Sequence, residues 1–328
     1  MQVTWAGSPD RVEARLVAEA GYPFDGFRIS GFPRRPGLPL ARALARAALA
    51  PPACLRILAA RRPDVVLGGG GYVAGPMVLA AALRRVPAAI TEADAHLGLA
   101  NRLALPFAQR LFLSFPVAGV DGPKVRVTGR PIPARSRSVE PVAARALFGL
   151  PAEGPVLLVF GGSQGARTLN ELVVAELGGA PADAPADAPA VLHLCGERDY
   201  SSLAPRVRRD GYRLVAFTND FGAALAASDL VVARSGGSVW EVAAAGKPAI
   251  LVPFPFATSD HQTKNARYFE AGGGAVVVPE TELARVPALI RELLADLARL
   301  AALRAGMLAL ARPNAADEIA QELIALAR

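Results

Sequence analysis

The sequence predicts an α/β protein made of two doubly wound domains, each a parallel sheet covered by crossover helices. Three observations predict it. Apolar runs of strand length alternate with helical stretches along most of the chain, several of those runs end in glycine-rich turns, and a proline- and arginine-rich connection divides the alternation into two series. With 328 residues, 52% of them hydrophobic, the chain has enough apolar sequence to bury a core in each of two domains.

The first series of strands is expected at residues 3–5, 64–67, 88–91, 111–113 and 125–128. The opening run is followed by Ala6-Gly7-Ser8-Pro9-Asp10 and a helix from about Arg11. In a doubly wound domain the first strand usually lies centrally and carries a phosphate-binding glycine turn. This run has no such turn, so it reads as a second strand, and an opening strand, loop and helix are expected to be missing from this chain. Residues 38–62 interleave Leu40, Leu44, Leu49, Leu55, Ile57 and Leu58 with Arg42, Arg46, Arg56, Arg61 and Arg62. Pro51 and Pro52 are expected to split the segment into two short helices. Two readings stay open for it: core packing with a solvated arginine face, or contact with a lipid headgroup surface.

Residues 129–155 carry Pro131, Pro133, Pro141, Pro151 and Pro155, a composition suited to a connection, and the domain boundary is placed near residue 135. The second series follows at 156–160, 191–194, 213–217, 230–233, 249–252 and 275–278. Residues 180–190 repeat Ala, Pro and Asp and read as a solvated loop. The expected domains are thus 1–135 and 136–312, followed by an amphipathic helix at 313–328 with Ile319, Leu323 and Leu326 on one side.

No apolar run reaches 18 residues, which rules out a spanning helix of ordinary length. The net charge of +7 favours anionic partners such as nucleic acid, acidic lipid or a phosphorylated substrate. The basic residues are dispersed and no stacking motif accompanies them, so nucleic acid is not the expected partner. Cys54 and Cys195 indicate neither a disulfide framework nor a thiolate metal site, and a reducing cytoplasm is the expected compartment.

The strongest local signal is the run 156–160 followed by Gly161-Gly162-Ser163-Gln164-Gly165-Ala166-Arg167 and a helix from about Thr168. A buried strand entering a glycine turn at a helix N-terminus gathers backbone N–H groups and the positive end of a helix dipole, which suits a diphosphate. The Walker lysine is absent and the spacing is not G-x-G-x-x-G. A second such turn, Arg234-Ser235-Gly236-Gly237-Ser238, follows the run 230–233 and leads through Val239-Trp240 to Glu241. Two such turns can converge on one nucleotide, with Glu241 accepting from sugar hydroxyls; alternatively Glu241 only complements its helix dipole. A helix starting near Asp260 would set His261 and Asn265 at i, i+4 beside Gln262, neutral groups suited to sugar hydroxyls. Metal binding is not expected there, since His261 has no His or Cys partner nearby.

In the first half Gly68-Gly69-Gly70-Gly71-Tyr72 and Thr91-Glu92-Ala93-Asp94-Ala95-His96 follow strands, so both should line the ligand side of that domain. Glu92, Asp94 and His96 are candidate acid or base groups, with helix capping by Asp94 as the structural alternative.

Taken in order, these motifs resemble the MurG-like GT-B glycosyltransferases of the peptidoglycan pathway. The resemblance begins at Trp5-Ala-Gly-Ser-Pro-Asp-Arg-Val-Glu-Ala-Arg-Leu-Val17 and continues through Phe27-Arg-Ile-Ser-Gly31, Arg62-Pro-Asp-Val-Val-Leu-Gly68 and Gly70-Gly-Tyr-Val-Ala-Gly-Pro76. It then takes in Leu99-Ala-Asn-Arg-Leu103, Gly161-Gly-Ser-Gln-Gly-Ala-Arg167, Phe217, Asp220, Arg234-Ser-Gly236, Glu241-Val-Ala-Ala-Ala-Gly246, Gln262 and Asn265. The resemblance implies a GT-B fold, two Rossmann-like domains facing a cleft, with the last helix crossing back to the first domain.

It also implies transfer of N-acetylglucosamine from UDP-N-acetylglucosamine to the muramyl 4-hydroxyl of a polyprenyl-diphosphate-linked acceptor, with inversion and no obligatory metal or other cofactor. By motif, the donor site would comprise Gly162, Ser163, Gln164, Thr218, Arg234, Ser235, Gly237, Ser238, Glu241, His261, Gln262 and Asn265. Ser163 and Gln164 would serve the diphosphate and sugar, Thr218 would lie near the uracil through its backbone, and Glu241 would bind ribose. The acceptor side would comprise Gly70, Gly71, Tyr72, Asn101 and Arg130, and catalysis would involve Asp94 and His96. The implied location is peripheral, on the cytoplasmic face of the cell membrane, with residues 38–62 as the candidate surface for it if the lipid reading of that segment holds. The His-Glu-Gln-Asn stretch of many relatives reads Thr91-Glu-Ala-Asp94 here, and the family's opening glycine-rich loop, with its histidine, has no counterpart in this sequence. Two other functions keep the donor site: a non-catalytic UDP-sugar-binding protein, and transfer to diacylglycerol or another glycolipid.

Overall fold

The computed structural model describes residues 2–31, 37–134, 139–162, 165–179 and 188–328. The chain divides into two compact units, Met1–Thr128 with Ala316–Arg328, and Gly129–Ala315.

The first unit runs β1 (Trp5–Gly7), α1 (Val12–Glu19), β2 (Phe24–Gly26), α2 (Leu38–Arg61), β3 (Val66–Gly68), α3 (Gly71–Leu83), β4 (Ala88–Glu92), α4 (Leu99–Ala104), β5 (Arg110–Leu113) and β6 (Val125–Val127). All its strand pairs are parallel, but they form two sheets, β1-β2 and β3-β4-β5-β6. Strand β2 was not anticipated by the sequence pattern: it has three residues, Phe-Asp-Gly, none of them buried.

Helix α2 corrects the expectation of two short helices, because its 24 residues run continuously through Pro51 and Pro52. The two prolines cannot donate to the carbonyls of Ala47 and Ala48, but Ala48 is exposed and Ala47 half-buried, so water can reach those oxygens. Ala50, Cys54 and Leu58 are buried at four-residue spacing in the core formed with Phe27, Ile29 and Val66. That anchoring on both sides of the proline pair holds one helical register. Leu55 and Ile57 pack on the same core, whereas Leu38 and Leu49 are exposed. The side chains of Leu40 and Leu44 lie outside the described residues.

The second unit runs α5 (Pro141–Leu147), β7 (Val156–Phe160), α6 (Arg167–Leu177), β8 (Ala190–Leu194), α7 (Glu197–Leu203), β9 (Tyr212–Val215), α8 (Phe221–Ala227), β10 (Leu230–Ala233), α9 (Val239–Ala244), β11 (Ala249–Leu251), α10 (His261–Ala271), β12 (Ala275–Val277), α11 (Val286–Ala295) and α12 (Leu297–Leu310). Its strands form one parallel sheet in the order β9-β8-β7-β10-β11-β12, the Rossmann arrangement with the unit's first strand in the middle. Central strands β7 and β10 are buried at every residue, which explains why both are apolar throughout. The repeat-rich loop reaches from 180, and residues 180–187 of it lie outside the described residues.

The last helix, α13 (Ala315–Leu326), supplies most of the C-terminal part of the first unit. There Ile319 joins Ala89 and Phe112 in a small apolar cluster, with Leu323 and Leu326 against it. Glu322 accepts from Arg110 Nε at 2.7 Å beside that cluster.

Candidate functional site

The sheet order of the second unit decides where a ligand can sit. Crossovers leave β7 toward β8 on one side and return to β10 on the other, so the carboxyl ends of β7 and β10 flank the topological switch point. The first glycine turn follows β7 and the second follows β10, and the two strands pair in register up to Phe160 opposite Ala233.

In the first turn Gly162 and Gly165 have positive φ of 81° and 72°, and the Gly165 N–H closes the loop onto the Gly162 carbonyl at 2.9 Å. A Cβ at Gly165 would lie 2.6 Å from the Cys195 carbonyl oxygen, so only glycine fits. Ser163 and Gln164 lie outside the described residues. Helix α6 begins at Arg167, directly after this turn, and no side chain caps its N-terminus at Ala166.

Around these turns is a cavity of about 340 Å³, lined by Gly162 from the first turn and by Ser238 and Glu241 from the second. Its apolar wall comprises Phe160, Leu194, Phe217 and Phe221, and Pro133, Ala216, Thr218 and Asn219 complete it. Phe160 and Phe221 meet edge to face with centroids 5.0 Å apart. The Thr218 hydroxyl accepts from the Asp220 N–H at 3.0 Å, so its side chain folds onto its own loop. The aromatic wall was not anticipated as part of the site. Its signal was available, because the residues that follow each strand end at a switch point line the ligand crevice.

Arg234, expected among donor ligands, has its side chain engaged in a brace. It is 7% exposed, donates to the carbonyls of Val252 and Pro253 at 3.2 Å each and to Thr168 Oγ1 at 3.0 Å, and pairs with Glu280. Thr168 in turn donates to Glu280. Burial pushes the Glu280 carboxyl up, but the hydrogen bonds from Arg234 and Thr168 and the Arg234 charge outweigh it and hold the group below its ordinary value. The brace ties the start of the second turn to the start of α6.

Helix α10 staples the second turn. The Ser235 hydroxyl donates to the Gln262 carbonyl at 2.7 Å, and Asn265, fully buried, donates from Nδ2 to the Ser235 carbonyl at 3.1 Å. The Gln262 side-chain oxygen accepts from the Phe254 N–H at 2.9 Å, and His261 Nδ1 donates to the Thr258 carbonyl at 2.8 Å. These four residues therefore hold loop backbone in place. Gly237 is covered by Arg130, whose guanidinium carbon would lie 2.4 Å from a Cβ there. Arg130, expected on the acceptor side, is the second residue of the second unit and lies at the second glycine turn.

In the first unit Gly70 and Gly71 have φ of 89° and 67° ahead of α3, and a Cβ on Gly70 would come within 3.2 Å of the Thr91 carbonyl oxygen. Asn101, 3% exposed, donates from Nδ2 to that carbonyl and to Glu92 Oε2, both at 2.9 Å. Glu92 also accepts from the N–H groups of Ala93, Asp94 and Gly98 at 3.0, 3.3 and 2.9 Å. A nearly buried carboxylate with four donors organises the loop. Capping of α4 by Asp94 is corrected: the N-cap is Gly98, with no side-chain cap. Asp94 and His96 are half-buried in the loop that Glu92 shapes, and Tyr72 packs against Gly31 and the core. Among the described residues no three His, Cys, Asp or Glu side chains cluster as a metal site would require.

Comparisons with known proteins follow the same two-part division. The glycosyltransferase family 28 N-terminal domain matches residues 1–113, and the glycosyltransferase family 28 C-terminal domain matches residues 156–320. A protein of Salinibacter ruber named UDP-N-acetylglucosamine--N-acetylmuramyl-(pentapeptide) pyrophosphoryl-undecaprenol N-acetylglucosamine transferase is 39% identical over 331 residues, covering 99% of this chain and 89% of its own. The identically named protein of Halothermothrix orenii is 35% identical over 315 residues, covering 91% and 84%. Among solved structures, Acinetobacter baumannii MurG superposes with a TM-score of 0.76 at 26% identity, covering 98% of this chain and 90% of that one. The glycotransferase of kitacinnamycin, with a TM-score of 0.67 at 20% identity over 98% and 91%, shares the fold.

Proposed function

This chain belongs to glycosyltransferase family 28, and on that premise we propose that it transfers N-acetylglucosamine from UDP-N-acetylglucosamine to undecaprenyl-diphosphate-muramyl-pentapeptide. The observation that carries the donor half is the convergence of both glycine turns, Glu241 and an aromatic wall on one cavity at the switch point of the second unit. Its relatives are named for the muramyl acceptor, which favours that acceptor over diacylglycerol and a transferase over a binding protein.

The cavity's parts fit a UDP-sugar. The first turn and the α6 N-terminus meet the diphosphate with N–H groups, the Thr218 loop backbone meets the uracil, and Glu241 accepts from ribose hydroxyls. The muramyl 4-hydroxyl attacks the anomeric carbon as the bond from that carbon to the diphosphate oxygen breaks, which inverts the centre and releases UDP. N–H groups fixed before the reaction stabilise the charge that develops on the leaving diphosphate, and the reaction proceeds without added metal. Asp94, at the motif position of the first unit, takes the hydroxyl proton, with His96 beside it in the same loop.

No described helix is long and apolar enough to cross a membrane. Attachment to the cytoplasmic face is assigned to α2, where Arg42, Arg46, Leu49 and Arg56 are exposed: Leu49 and Arg56 lie away from the buried Ala50, Cys54 and Leu58, and Arg42 and Arg46 continue the row of those residues toward the start of the helix.

Radiolabelled N-acetylglucosamine supplied as the UDP-sugar, with a short-chain lipid-linked muramyl acceptor and excess chelator, tests the proposal. Label transferred to the acceptor in a stereochemically inverted linkage is expected. Binding of UDP without transfer would support only the donor half, and transfer abolished by the chelator would overturn the metal-independent mechanism.

A further inference from the structure

A chain of buried side chains runs from the edge strand β9 to the first glycine turn. Tyr212 on β9, His193 on β8 and Asn170 on α6 are each within a few per cent of full burial. The Tyr212 hydroxyl lies 2.7 Å from His193 Nδ1, and His193 Nε2 lies 3.0 Å from Asn170 Oδ1. Asn170 Nδ2 donates to the Cys195 carbonyl at 2.8 Å and to Asp199 Oδ2 at 2.9 Å.

The hydrogen positions follow from the far end. Both Asn170 Nδ2 hydrogens go to oxygens that can only accept, so Asn170 Oδ1 faces His193 and the imidazole carries its proton on Nε2. Nδ1 must then accept from the Tyr212 hydroxyl. Every bond in the chain points one way, and a neutral imidazole fits it; burial lowers the His193 pKa to about 3.

The end of this relay is where Gly165 rests. A Cβ on Gly165 would lie 2.6 Å from the Cys195 carbonyl oxygen, 3.3 Å from Asp199 Oδ2 and 3.6 Å from Asn170 Nδ2. The Asn170 N–H also bonds the Ala166 carbonyl at 2.8 Å, so the same residue fixes the first turn of α6.

Building on the donor-site reading above, we propose that Tyr212, His193 and Asn170 form a one-directional relay that sets the position of Gly165 and the N-terminus of α6, making His193 a positioning residue for the donor diphosphate. None of the three side chains lines the cavity, so the relay acts on the backbone that does. A side chain at 193 that cannot both accept from Tyr212 and donate to Asn170 leaves polar groups unpaired in the core, and the turn shifts to satisfy them.

The test uses the full chain with H193L, H193Q and Y212F, each compared with wild type for hydrogen exchange without ligand, UDP binding and steady-state kinetics. Glutamine can accept through Oε1 and donate through Nε2, so H193Q keeps the direction of the relay. H193L is expected to raise the donor KM about tenfold and Y212F about threefold, with kcat held within about twofold and the acceptor KM unchanged. Exchange at the Gly165 and Asn170 amides should accelerate in the same order, and H193Q should restore both readouts. Y212F removes a single oxygen and keeps the test usable if H193L fails to fold. Variants that bind UDP like wild type, with faster exchange confined to β8 and β9, would overturn the relay while leaving the donor reading intact. A wild-type chain that binds no UDP would overturn both.

Discussion

Glu241 and Arg234 are seven positions apart on the second turn and its helix, yet their surroundings assign them opposite work. Glu241 lines the cavity, so Glu241→Ala should weaken UDP-sugar binding by about tenfold in a calorimetric titration, the value of a lost charge-assisted hydrogen bond. Arg234 is the core of a brace, so Arg234→Met should destabilise the chain by about 3 kcal/mol in denaturant titration, because Glu280 is left largely buried without its cation. The sign of the pH effect follows. Glu280 is held below its ordinary value when folded, so its contribution is full above the unfolded carboxylate range and is lost as pH falls through the lowered folded value. In Arg234→Met that share of the acid dependence should vanish. Residue types in order marked the second turn as a binding element, but burial separates ligand from brace and burial is a tertiary property. The same reason hid the roles of Asn265 and Glu92, whose side chains suit substrate as well as backbone.

At the scale of elements, the strands of the second unit could be read almost to the residue because a parallel strand covered on both faces is apolar throughout, as Val156–Phe160 and Leu230–Ala233 are. Strand β2 escaped because Asp25 and Gly26 carry no such signal and pairing with β1 alone defines it. Helix α2 was misread for an opposite reason: a local rule about proline was applied where the core on both sides of the pair overrides it. The prolines still cost the helix two hydrogen bonds. Pro52→Ala restores a donor for the Ala48 carbonyl at an exposed position, and it should raise unfolding free energy by about 2 kcal/mol in denaturant titration. No gain would mean that water already satisfies that carbonyl fully.

At the scale of the whole molecule, the formal charge of +7 and the exposed arginines of α2 lead to one measurable consequence. A positively charged protein gathers near an anionic lipid surface within a screening distance of about 10 Å at 0.1 M salt, and each basic residue close to that surface contributes about 1 kcal/mol. Arg42, Arg46 and Arg56 are exposed on α2 together with Leu49, whose apolar side chain, on the side away from the buried Ala50, Cys54 and Leu58, can enter the headgroup region without disturbing them. Co-sedimentation with vesicles containing phosphatidylglycerol should therefore be strong at low ionic strength and fall steeply as salt is added, while vesicles of phosphatidylcholine alone should retain little protein. Replacing the three arginines with glutamate should weaken binding to the anionic vesicles by at least about a hundredfold, since roughly 3 kcal/mol of attraction is removed before any repulsion is counted. UDP affinity should not change in that variant, because the donor cavity belongs wholly to the second unit. Sedimentation indifferent to salt, or equal on neutral and anionic vesicles, would remove α2 as the attachment surface and leave its arginines as the solvated face of an ordinary packed helix.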